Sequence, residues 1–171
     1  GQKYGLKARI HCNQFTHSGG IELAIRYNAL TVDHLEIAND DEINQLLESN
    51  TLPCLLPCAA FCLDLPFPPA RVMIDKGLGL ILATDFNPGT SPIYKMSLVL
   101  NLAVMWMKMS IQEAINSMTI NAAKSMEIDS LLGNIEEGKL ANLIITKPIP
   151  SLEYLAYDLN QDWIDKIIIN G

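Results

Sequence analysis

No apolar run in this sequence approaches the ~18 residues that a membrane-spanning helix needs; polar residues interrupt every hydrophobic stretch. Basic charge is also scarce. Twelve Lys and Arg stand against 19 Asp and Glu, for a net charge of −7, which argues against nucleic acid and anionic membrane surfaces as partners. The four cysteines form no CxxC pair, so the usual zinc and redox spacings are missing. Cys54, Cys58 and Cys62 are four apart and would align on a helix, but Pro53 and Pro57 oppose a continuous helix there. All four cysteines are therefore expected to be reduced, buried and structural. Low-complexity tracts and fixed-period repeats are absent, and so is any HxH pair. The first residues, Gly1-Gln2-Lys3-Tyr4-Gly5, include neither a Met nor the apolar core of a secretory signal. Gly5-Leu6-Lys7 reads as the turn after a helix, so the chain is expected to begin partway through a larger unit.

What is present is an alternation. With 49% hydrophobic and 18% charged residues over 171 positions, the composition is globular and the length suits one domain or a piece of a larger one. Strands are predicted at Lys7–His11, Thr31–His34, Leu52–Leu56 and Gly79–Ala83. Helices are predicted at Ser18–Asn28, Asp40–Ser49 and Ala70–Lys76, the last ended by Gly77. Strand and helix alternating at this spacing imply βα units and a parallel sheet. Further helices are expected over Ser91–Lys108, Ser110–Met118 and about Asn121–Met126. Ser110 with Glu113 forms a capping box. After residue 128 the character changes: a glycine hairpin from Gly133, a strand ending at Thr146, and another over Trp163–Gly171 that ends in a turn. The expected division is thus 1–128, built of βα units, and 129–171, a small β segment.

The polar residues at the strand ends carry the chemistry. The run Leu82-Ala83-Thr84-Asp85-Phe86-Asn87-Pro88-Gly89-Thr90-Ser91-Pro92 takes the chain from a buried strand into a turn. Alone, Asp85 reads equally as a turn cap or as a functional carboxylate at a barrel mouth. His11 and His34 fall at the carboxyl ends of two other predicted strands, and in a barrel all three residues open onto one face. Imidazoles beside a carboxylate suit a zinc- or iron-type ion, which lowers the pKa of bound water; an aspartate beside that water can accept its proton. His17, in a polar turn, reads as a helix-start residue. The donor set is short, since a catalytic metal wants about three protein ligands.

Several segments resemble the imidazolonepropionases, within the metal-dependent amidohydrolase superfamily. These are His11-Cys12-Asn13-Gln14-Phe15, Val32-Asp33-His34-Leu35-Glu36, Leu55-Leu56-Pro57, Ala83 to Pro92, Asn121-Ala122-Ala123 and Gly133 to Leu143. The most specific are VDHLE and TDxNPGTSP. The resemblance implies an α/β fold, the carboxyl-terminal half of a (β/α)8 barrel plus a small β-sandwich segment. It implies ring opening of 4-imidazolone-5-propanoate to N-formimino-L-glutamate, a step of histidine breakdown, with zinc or iron as cofactor. His11 and Asp85 match metal-binding positions, and Asp85 also a catalytic one. His34 matches a catalytic histidine suited to polarising a carbonyl or stabilising an oxyanion. Gln14, Asn87, Gly89 and Thr90 match positions that contact substrate. The family's HxH strand and its propionate-gripping Arg and Tyr have no counterpart here. A chain holding half the barrel is expected to be inactive alone, and at full length a cytoplasmic homodimer is implied. Two other readings stand beside this one: another amidohydrolase acting on a cyclic amide or nucleobase, and a non-catalytic remnant.

Overall fold

The computed structural model describes all residues, Gly1–Gly171. After a 3-10 turn at Gln2–Tyr4, the chain runs β1 (Arg9–Cys12), α1 (Gly20–Arg26), β2 (Thr31–His34), α2 (Asp40–Leu47), β3 (Leu52–Leu55), α3 (Pro57–Cys62), α4 (Ala70–Asp75) and β4 (Ile81–Leu82). Three helices follow: α5 (Met96–Met105), α6 (Ile111–Met118) and α7 (Ile120–Ser125). The chain ends in β5 (Leu143–Thr146), α8 (Tyr154–Tyr157) and β6 (Ile164–Ile168). Strands β1 to β4 form one sheet in sequence order, every pair parallel. Strands β5 and β6 form a separate antiparallel pair.

Alternation along the strands divides the sheet's two faces cleanly. Cys12, Val32, Leu55 and Leu82 point into the main core, among Ile21, Leu46, Met73 and Leu102 from the helices. The opposite face carries the register row His11, Asp33, Cys54 and Ile81. Cys54 and Ile81 there join a smaller cluster with Leu56 and Ala59. The first face is apolar up to His34, which pairs with Cys12 at the end of β2, and the other turns polar toward β1.

Pro53 stands inside a central strand because its missing donor has no partner to lose. Leu52 N–H donates to Leu30 O on the β2 side, so the nitrogen of Pro53 faces β4, which begins only at Ile81 opposite Cys54. Pro57 starts a helix rather than preventing one, since the first helical position needs no N–H. This helix, α3, was not among the predicted elements. It separates the thiols: Cys54 is in β3, Cys58 is buried in α3, and Cys62 is exposed rather than buried. All four cysteines are free. Burial pushes the Cys12 and Cys54 thiols up to about 12 and Cys58 to about 11, so these three stay protonated at neutral pH.

Other boundaries shift for visible reasons. Helix α5 begins at Met96, not Ser91, because Asn87 and Ser91 form a β-bridge and Ser91 Oγ donates to Thr84 O at 2.8 Å. The stretch from Gly133 forms turns, not a hairpin: Leu140 N–H donates to Leu131 O, and β5 finds its partner in β6 instead. Helix α8 is held by Asn101, a buried α5 residue whose Nδ2 donates to Ala156 O at 2.8 Å. No helix is long and apolar enough to cross a membrane.

Two capping boxes fix helix starts, Asn39 with Glu42 on α2 and Ser110 with Glu113 on α6. Glu42 has further duties, accepting from Asn13 Nδ2 at 2.7 Å and lying 3.1 Å from His17 Nδ1. Burial raises the Glu42 carboxyl, but the Asn39 backbone, the Asn13 amide and the His17 ring outweigh it and hold it below its ordinary value. A carboxyl depressed by folding stabilises the fold above its unfolded pKa, and that contribution disappears as pH falls through the folded one. Glu42→Gln is therefore expected to melt below the native chain at neutral pH. The two melting curves should converge under acid, once the pH has fallen below the lowered value of the folded carboxyl; a gap that never closes would contradict the linkage.

Candidate active site

In a parallel sheet all carboxyl ends share one edge, and this edge gathers the polar residues. His11 lies in β1 next to its end, His34 closes β2, and Asp85 follows β4 by three residues. The His11 and His34 rings meet edge to face, centroids 4.3 Å apart at 64°. His34 Nε2 lies 3.9 Å from Asp85 Oδ2. The three residues singled out by their strand-end positions are neighbours in space.

The backbone is bent unusually to achieve this. His34 has φ 87, Leu35 φ 69, Asp85 φ 53 and Asn13 φ 54, all left-handed and none glycine. Such conformations cost of order 1–3 kcal/mol each and persist where surrounding contacts enforce them, often at functional sites. Leu35 is fully buried in the main core, and its N–H donates to Cys12 O. Ile37 N–H donates to Asn13 O, so the loops after β1 and β2 are laced together.

Glu36 is the residue that strand-end reasoning passed over. It is buried, and its Oε1 lies 3.1 Å from His34 Nδ1, with side-chain exposures of 0% and 5%. The available signal was its place two residues after His34 in VDHLE, but the return toward the ring needs the two left-handed residues that no periodicity reveals. Asp33, beside His11 in register, also borders the site. Burial pushes its carboxyl up, against the Thr31 hydroxyl, Arg9 and both imidazoles.

The loop after Asp85 is self-contained. Asn87 Oδ1 accepts from Gly89 N–H at 3.0 Å, Thr90 N–H at 2.7 Å and Thr90 Oγ1 at 3.1 Å, while its Nδ2 donates to Asp85 O at 2.7 Å. The groups expected to greet a substrate are thus turned on one another. Gln14 is buried at 7% exposure and His17 lies apart, against Glu42. Phe86 and Tyr94 pack edge to face at 6.0 Å on the exposed rim.

As a metal site the edge is right in kind and short in number. Two imidazoles and a carboxylate are suitable donors for zinc or iron. No group of three or more His, Cys, Asp or Glu is placed to hold an ion together.

The chain is 46% identical over 170 residues to imidazolonepropionase of Christiangramia forsetii, covering 99% of this chain and 41% of that protein. It is 47% identical over 171 residues to the imidazolonepropionase of Flavobacterium johnsoniae, covering 100% and 42%. It thus spans about two fifths of the length of these curated relatives. Among solved structures it is similar to a zinc-bound adenosine deaminase from Xanthomonas campestris, with TM-score 0.83, 16% identity, and 99% of this chain against 45% of that one. A mutant atrazine chlorohydrolase from Arthrobacter aurescens, complexed with zinc and atraton, gives TM-score 0.85 at 15% identity, covering 99% and 44%. These neighbours share its fold, that of the amidohydrolase barrels. The family model for amidohydrolases matches residues 6–171, and the chain belongs to the amidohydrolase family.

Proposed function

We propose that this chain supplies the carboxyl-terminal part of an imidazolonepropionase, which hydrolyses 4-imidazolone-5-propanoate to N-formimino-L-glutamate. The observation that carries the reading is the meeting of His11, His34 and Asp85 at one sheet edge. In this reading residues 1–128 are half of a (β/α)8 barrel and 129–171 part of a β-sandwich. Exposed Ile144, Ile167 and Ile169 on and beside β5 and β6 suit a sandwich that the rest of the enzyme completes. The whole enzyme would act on its small substrate as a cytoplasmic homodimer.

His11 and Asp85 would hold zinc or iron together with histidines from the remainder of the barrel. When bound, the ion supplies an acidified water. Asp85 accepts a proton from the attacking water. His34 turns Nε2 toward that reaction zone. Three donors, Gly89 N–H, Thr90 N–H and Thr90 Oγ1, converge on Asn87 Oδ1. A substrate carboxylate oxygen suits the same cradle if Asn87 swings aside, since convergent N–H groups favour anions. Gln14 would face the ring.

The test is complementation. The chain alone is expected to carry little zinc or iron and to turn over no imidazolone. Mixing it with the amino-terminal segment of the Flavobacterium johnsoniae enzyme should restore metal content and turnover together. Robust activity of the chain alone, or none after a verified complex forms, would overturn the proposal. A panel with a nucleobase and another cyclic amide separates it from a different amidohydrolase specificity.

A further inference from the structure

We propose that Glu36 is the positioning residue of the site: it holds His34 as the Nδ1–H tautomer and so leaves Nε2 as a bare lone pair facing Asp85. This deepens the hydrolase reading and rests on it for the meaning of His34, though not for the geometry.

The contact is built, not incidental. His34 Nδ1 and Glu36 Oε1 are 3.1 Å apart with both side chains buried. Here two successive left-handed residues, His34 and Leu35, reverse the chain, and Leu35 anchors the reversal by filling the core. The strain is spent on bringing one carboxylate to one ring nitrogen.

Stability alone gives no reason to keep a carboxyl group here. The second oxygen, Glu36 Oε2, is buried with no hydrogen-bond partner. A buried carboxylate served on one side only is unfavourable, and an apolar residue of similar volume would suit the interior better. What the carboxylate supplies is direction. It carries no proton when ionised and can only accept, so the hydrogen of a neutral His34 resides on Nδ1 and donates to Oε1. No comparable partner claims the other nitrogen. Asp85 Oδ2, at 3.9 Å from Nε2, is beyond hydrogen-bond distance, and His11 presents only a ring edge or face.

The consequence is chemical. A neutral His34 with Nε2 bare cannot donate to a substrate carbonyl, the role its position in the motif suggested. It serves instead at Nε2 as a hydrogen-bond acceptor, able to orient an O–H of the water whose proton Asp85 takes, with Nδ1–H still held by Glu36.

The experiment is a two-bond 1H–15N correlation spectrum of the imidazoles in the uniformly 15N-labelled 171-residue chain near neutral pH. There are three histidines, and His11→Asn and His17→Gln spectra assign them. The expected result for His34 is a single tautomer, protonated at Nδ1 and bare at Nε2; a dominant Nε2–H tautomer or an imidazolium pattern would overturn the proposal. Glu36→Gln keeps the side-chain shape but can accept from Nδ1–H or donate to a bare Nδ1, so Nε2–H cross-peaks should appear. An unchanged pattern in a folded variant would also overturn it. If that variant does not fold, the native spectrum decides alone. These spectra need neither metal nor turnover, so failed complementation would sink the hydrolase reading and leave the tautomer assignment standing, and the reverse holds equally.

Discussion

Asp85→Asn, in the chain complemented by an amino-terminal segment, is expected to lower imidazolone turnover by about 10³-fold, the usual scale for losing a positioned proton acceptor. The same substitution should leave the melting temperature of the 171-residue chain almost unchanged. Asp85 sits at φ 53, a left-handed conformation that Asn adopts as readily as Asp, and its neighbour His34 Nε2 is too distant to depend on it for a hydrogen bond. Shape and backbone are preserved while the proton-accepting charge is removed. Asp85→Ala separates the two roles: it should match Asn in lost turnover but melt lower, since a β-carbon without a polar partner makes the left-handed turn unfavourable by roughly 1–2 kcal/mol. Retained turnover in Asp85→Asn would return Asp85 to a turn residue, its alternative reading from sequence. Kinetics of the complemented enzyme with parallel melts of the chain distinguish the outcomes.

The contrast between turn and site also shows what the sequence could and could not convey. The parallel order of β1 to β4 was legible because short strand-like segments alternate with helical patterns such as Asp40–Ser49 and Ala70–Lys76 at the spacing of βα units. Parallel topology then places every strand end on one edge, which is why His11, His34 and Asp85 could be grouped before any distance was known. The loops resisted for a different reason. Their conformations depend on single residues at positive φ, and Asn13, His34, Leu35 and Asp85 carry no glycine to announce it. Glu36 was hidden by that reversal, and the inward-turned amide of Asn87 by hydrogen bonds within its own loop. Pro53 and Pro57 do prevent a continuous helix from Cys54 to Cys62, but Pro57 also opens the short α3, which was not predicted.

Gly133→Ala is expected to destabilise the chain most among the glycine substitutions at positive φ. The position looked like a hairpin turn, where glycine is needed only for its backbone. In the fold it lies against α7 with φ +106, and an added Cβ would stand 2.8 Å from Ala123 Cβ and 2.9 Å from Ile120 Cα. Neither atom can retreat without moving a helix. Two terms therefore add: roughly 1–2 kcal/mol for a side chain in a left-handed conformation, and about 1–3 kcal/mol for overpacking against backbone. With a melting shift of about 2–4 °C per kcal/mol at this chain length, the melting temperature should fall by roughly 5–15 °C. Gly138→Ala is the internal control, with φ +91 and nothing within 4 Å of an added Cβ. It should show the conformational term alone. Equal melting temperatures for the two variants would mean that Gly133 is a turn glycine after all; a lower one for Gly133→Ala measures how closely the segment after α7 is pressed onto that helix.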